Sequence, residues 1–138
     1  MIIQDITHEV NVIKHLAEKI LPDTHNWKPS EGQRTILELL QYLSHIGTTF
    51  ATMLTSGSVE HFAENAEKSK TLTADQFSAA MDKQLTDMTN AINGLSHDDQ
   101  QEKMNFFGGM VVPKSFVVLS LVKTIVAYRM QLFLYVKQ

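Results

Sequence analysis

The last quarter of the chain constrains the fold most. After Pro113 the residues Phe116, Val117, Val118, Leu119, Leu121, Val122, Ile125, Val126, Met130, Leu132, Phe133, Leu134 and Val136 leave almost no side of a helix polar. A helix of that kind has to be covered on more than one side. It is expected either at the centre of a bundle or partly against a second copy of the chain, and we expect some of both, hence a homodimer. Lys114, Lys123 and Arg129 divide it into apolar runs shorter than the roughly 20 residues that cross a bilayer. The expectation is a buried helix, with no membrane partner.

Three further helical patterns can supply the cover. Ile6, Val10, Ile13, Ala17 and Ile20 recur at spacings of three and four, opposite Gln4, His8, Asn11, His15 and Glu18. Pro22 ends that stripe. Ser30 followed by Gln33 reads as a capping box for a second helix, whose stripe Ile36, Leu39, Leu40, Leu43, Ile46, Phe50 and Met53 runs to about Leu54 before Ser56-Gly57-Ser58. Thr73 and Gln76 repeat the capping signature ahead of Phe77, Met81, Leu85, Met88, Ile92 and Leu95, with Gly94 and Ser96 to end the third helix. Paired Gly108 and Gly109 permit a sharp bend, and Pro113 suits the first turn of the fourth helix.

The connection from Val59 to Leu72 is rich in Glu, Lys, Ala and Asn and reads as a short surface helix or an ordered link. About 18 residues between helices two and three span up to ~60 Å extended, twice the ~30 Å of a 20-residue helix. Those two helices can therefore run parallel. The reading is all-α: one domain, residues 1–138, a four-helix bundle.

Composition removes whole classes of function. Twelve Lys and Arg against fifteen Asp and Glu give a net charge of −3 with no basic block, so nucleic acid is not an expected partner. With no cysteine there is no disulfide, thiolate nucleophile or Cys-based zinc site. Gln4, Asp5, His8 and Glu9 come too early for a secretory leader, and a cytoplasmic location is expected. Phosphate-loop, H-E-x-x-H and G-x-S-x-G patterns are absent, as are the Glu-x-x-His pairs of a di-iron bundle.

Two segments carry a resemblance. Trp27-Lys28-Pro29, followed by Leu39-Leu40-Gln41-Tyr42-Leu43-Ser44-His45-Ile46, resembles the W-x-P turn and the L-L-x-x-L-x-H-I pattern of the DinB-like (YfiT-like) family. Arg129-Met130-Gln131-Leu132 is similar to that family's R-x-Q-L segment in helix four. The resemblance implies an up-down-down-up bundle and a metal, zinc or nickel, held by three histidines that activates a thiol or water. His45 would be one ligand. The other two histidines, four apart in helix four, would fall at Thr124 and Tyr128, and neither replaces imidazole. It also implies that such chains often continue past the segment that ends here near Gln138.

His45 thus has two readings. By periodicity it shares a polar face with Glu38, Gln41, Thr49 and Thr52 and points to solvent. By resemblance it lines an internal polar pocket, opposite a helix-four face of Ser120, Thr124, Tyr128, Gln131 and Tyr135. The ligand-binding residues expected are His45, Thr124, Tyr128 and Gln131, with His45 as the metal-site candidate. The function expected is a metal-free small-molecule-binding or interaction module; the alternative is a metal-dependent thiol transferase or hydrolase of the DinB/YfiT type.

Overall fold

A computed structural model describes all of residues 1–138. Six α-helices make up most of it: α1 (Ile2–Glu18), α2 (Ile36–Ser56), α3 (His61–Ser69), α4 (Phe77–Asn93), α5 (His97–Gln101) and α6 (Lys114–Val136). The four long helices close a ring of contacts, α1 against α4 and α6, and α2 against α4 and α6. Their apolar stripes meet in a core whose fully buried side chains include Ile6, Ile13, Leu39, Leu43, Met53, Met88, Leu121 and Leu132.

The start of α2 differs from the reading of Ser30 as a cap. Ser30 only closes a turn, its carbonyl accepting from the amide of Gln33, and Gly32 takes a left-handed φ of 83°. The capping box that forms is Thr35 with Glu38. Thr35 Oγ1 accepts from the Glu38 amide at 3.1 Å, and Glu38 accepts from the Thr35 amide at 2.8 Å. The next two orphan amides of the helix, Ile36 and Leu37, donate to the carbonyls of Trp27 and His25, both at 2.9 Å. The loop from His25 to Thr35 is thereby folded back over the helix it precedes.

Between α4 and α6 the polar linker is more ordered than its composition suggests. Ser96 and Asp99 form a capping box for α5. An antiparallel pair of short strands follows, β1 (Lys103–Asn105) and β2 (Val111–Pro113), with Met104 opposite Val112 and both buried. Gly108 and Gly109, at φ 70° and 74°, turn the chain between them. This hairpin is the one departure from an all-helical chain.

Helix α6 is not sheathed all round. Val117, Leu121, Ile125, Leu132 and Tyr135 are buried, while Phe116, Leu119, Val126, Met130, Phe133 and Leu134 are exposed. By length and composition it would also cross a membrane, but its buried stripe is packed on α1 and α2. Arg129 is held to α1, its Nε donating to Glu9 at 2.6 Å.

Candidate functional site

The site is built on the middle of α2. His45 is only 6% exposed and its neighbour one turn on, Thr49, is fully buried. The polar stripe that periodicity assigns to solvent is instead roofed by α3. Phe62 of α3 meets the His45 ring edge-on at 5.5 Å between centroids, and Tyr42, one turn earlier on α2, does so at 5.4 Å.

The two imidazole nitrogens differ. Nδ1 lies 3.0 Å from Thr49 Oγ1, which in turn accepts from Asn65 Nδ2 of α3 at 2.9 Å. With Asn65 donating to it, the threonine hydroxyl can either donate to Nδ1 or accept from it, so this contact is compatible with both imidazole tautomers. Nε2 is fully buried and has no hydrogen-bond partner in the protein. A buried polar atom left unpaired costs on the order of 1–3 kcal/mol. His45 stands, with Ser69, in the wall common to two clefts: one of about 300 Å³ between α2, α3 and α4, and one of about 240 Å³ beside Arg34, Glu38, Gln41 and Lys70.

The cleft beside His45 carries charges of both signs, Arg34 and Lys70 against Glu38. Burial lowers the His45 pKa below the usual histidine value, and the nearby charge of Arg34 lowers it further. Tyr42 is pushed up to about 12 by burial and by the neighbouring Tyr128 hydroxyl. The Arg34 guanidinium lies over both rings, 4.2 Å from the Tyr42 centroid and 5.7 Å from that of Tyr128.

The residues expected from sequence are brought together only in part. Tyr42 packs on Tyr128 at 4.6 Å between centroids, so its ring occupies the space between His45 and helix α6. Thr124 turns its hydroxyl back to the Ser120 carbonyl at 2.8 Å. Gln131 lies within 3.4 Å of the Tyr135 hydroxyl, which itself donates to the Arg34 carbonyl at 3.0 Å. The clefts beside His45 therefore open toward Arg34 and α3, and none of Thr124, Tyr128 or Gln131 lines them.

With this geometry in hand, the molecule was compared with known proteins. No protein-family model matches the sequence, and no curated relative is detected by it. Solved structures do match. A DinB-like protein from Bacillus subtilis superposes with a TM-score of 0.79 at 20% identity, covering 99% of this chain and 89% of that one. A second DinB-like protein, from Bacillus cereus, gives 0.72 at 18% identity with the same coverages. The chain has the DinB-like fold. A histidine-to-alanine variant of a mycothiol-dependent maleylpyruvate isomerase gives 0.76 at 13% identity over 95% of this chain, which spans 59% of the isomerase.

The donors around His45 do not fit the three-imidazole metal site that the DinB-like resemblance implied. No three His, Cys, Asp or Glu side chains gather anywhere in the molecule at metal-binding separation. Between His45 and α6 stands the Tyr42 ring, and a tyrosine held near pKa 12 is a poor anionic donor at neutral pH.

Sequence reasoning missed three residues that the DinB-like fold places here. Arg34 gave no signal in the sequence. Phe62 is the one Phe, Tyr or Trp of the polar connecting segment. Gln84, three residues after Met81 and four before Met88, interrupts the apolar face of the third stripe, yet it is 2% exposed. Its Nε2 donates to the Leu43 carbonyl at 2.8 Å, and its Oε1 accepts from the Gly47 amide at 2.6 Å, so it pins the two backbone groups that flank His45.

Proposed function

We propose that this chain is a metal-independent small-molecule-binding protein, built on an up-down-down-up four-helix bundle, that takes its ligand beside His45. The order of contacts along each helix supports that topology. Leu43 and Thr48 meet Gln84 and Asp87 in the same sequence order, as parallel α2 and α4 require. Tyr42 meets Tyr128 and Arg34 meets Tyr135, the descending order of an antiparallel α2 and α6.

The observation that carries the functional reading is the pair of clefts that share the His45 wall, one of them lined by an Arg34 guanidinium with no acid partner. Ligand sites are concave, with a few placed polar groups, and an unpartnered guanidinium is what a ligand acceptor would satisfy. The structural likeness to a thiol-dependent isomerase favours a second reading, a metal-dependent thiol transferase. The two part on metal. Elemental analysis of protein purified without chelator and without a nickel-affinity tag is expected to find substoichiometric zinc and nickel, with added metal leaving the melting temperature unchanged. Near-stoichiometric metal with a metal-dependent rise in melting temperature overturns the first reading in favour of the second.

The proposal extends to a second copy of the chain on α6. Its exposed residues Phe116, Leu119, Lys123, Val126, Met130, Phe133 and Lys137 step by three and four in strict alternation, the spacing of a coiled-coil seam. Phe116, Leu119, Val126, Met130, Phe133 and Leu134 each expose between 37% and 51% of their surface. Together that is roughly 500 Å² per copy, so two copies bury about the 1,000 Å² at which specific interfaces begin. In-register parallel pairing would set Lys123 against Lys123 of the other copy. Antiparallel pairing centred between Val126 and Ala127 instead sets Lys123 opposite Met130 and Leu119 opposite Leu134, and each lysine stem can lie along an apolar neighbour with its charge in water.

A further inference from the structure

We infer that the cleft beside Arg34 is a carboxylate site: the Arg34 guanidinium, lying over Tyr42 and Tyr128 with no protein acceptor, grips a single carboxylate of a small organic acid. The inference rests on the ligand-binding reading above and narrows the ligand to a chemical class.

Arg34 is held in place without its donors being used. Its carbonyl accepts from the Tyr135 hydroxyl at 3.0 Å, and Thr35, the next residue, is the cap of α2. Its guanidinium plane is supported by the rings of Tyr42 and Tyr128. No protein oxygen accepts a hydrogen bond from it, and no acid pairs with it within 4.0 Å. A planar fork of N–H groups stacked on aromatic faces, its edge unpartnered, is pre-organised for bidentate recognition of a carboxylate or phosphate.

The charges around it favour the carboxylate. Glu38 brings a carboxylate to the same cleft, where it accepts from the Thr35 amide at the positive end of α2, and Lys70 is paired with Glu67 at 2.8 Å. A carboxylate already beside Arg34 disfavours a doubly charged phosphate more than a singly charged acid. The cleft of about 240 Å³ suits a small acid.

The test is an NMR titration of the ¹⁵N-labelled full chain with benzoate, its neutral isostere benzamide, and inorganic phosphate, following Arg34 Nε. Benzoate is expected to give saturable shifts at that nitrogen, with benzamide and phosphate at least about tenfold weaker. R34K, which keeps the charge and loses the fork, is expected to weaken benzoate at least about tenfold, and R34M to abolish it. The circular dichroism of each variant checks that it is folded, and R34K serves alone if R34M is not. Benzamide binding as well as benzoate, or benzoate binding unchanged in R34K, overturns the carboxylate assignment while leaving a ligand pocket standing. Phosphate binding tighter than benzoate overturns it in favour of a phosphate site. Absence of saturable shifts with all three probes overturns the assignment as well, and the metal analysis, independent of it, still decides the broader reading.

Discussion

Gln84 of α4 reaches into the backbone of α2 at Gly47, accepting its amide proton at 2.6 Å, and a side chain at position 47 would collide with it: a Cβ there would stand 2.8 Å from Gln84 Oε1 and 3.0 Å from the Met88 thioether. Gly47 is thus selected by close approach, not by an unusual backbone angle. Gly47→Ala is expected to cost about 1–3 kcal/mol through overpacking, and Gln84→Ala about 2–3 kcal/mol through lost hydrogen bonds and a cavity. Urea unfolding followed by circular dichroism measures both; a Gly47→Ala protein as stable as the parent would show that α2 and α4 can separate without penalty.

Acid stability separates His45, which is buried, from Asp87, which is half-buried. The folded His45 binds its proton less readily than the unfolded chain, whose histidine titrates near 6.5, so stability is fully present above that value and declines as pH falls through and below it. For Asp87, burial raises its pKa, but hydrogen bonds from Lys83 and Thr48 outweigh that and hold it below the ordinary 3.8, so its contribution is lost only at more acidic pH. Melting temperature measured from pH 7 to 5 is expected to fall in the parent and to fall less in His45→Gln. Parallel curves for the two proteins would remove His45 from the acid response.

The loop that carries Arg34 is pinned from α6. Tyr135 donates to the Arg34 carbonyl and meets Trp27 edge-on at 5.6 Å. Tyr135→Phe keeps the ring contact and loses the hydroxyl, for an expected cost of about 1 kcal/mol. Trp27 is the only tryptophan in the chain, so its fluorescence reports the change directly. An emission spectrum and a stability both unchanged in Tyr135→Phe would count against the anchor.

Helix α6 makes an oligomer prediction. Leu119→Glu and Met130→Glu each place a charge in the proposed seam and are expected to leave a folded monomer, while the parent at tens of micromolar runs as a dimer in light scattering. A monomeric parent under the same conditions rules the seam out.

Much of the helical fold was legible because apolar spacing is a strong signal and the stop residues are specific: Pro22, Gly57, the Thr73–Gln76 cap and Pro113 all stand at element ends. What failed did so for identifiable reasons. Ser30 and Thr35 offer the same capping chemistry, and the choice fell to distant carbonyls, those of His25 and Trp27, that no local pattern reveals. His45 looked solvent-facing because periodicity describes one helix alone, whereas its burial comes from α3 crossing that face. The hairpin at Met104 and Val112 is only three residues a side, too short for alternation to register. Arg34 was illegible for the opposite reason: its importance lies in what it does not touch.

Tyr42 stands between His45 and α6, its ring against His45 on one side and Tyr128 on the other. An aromatic ring joins two helices through contact area, not through donor atoms that must first give up protons. A junction of that kind owes nothing to chelators or to metal supply, so the α2–α6 pairing is expected to hold in EDTA as it does in buffer.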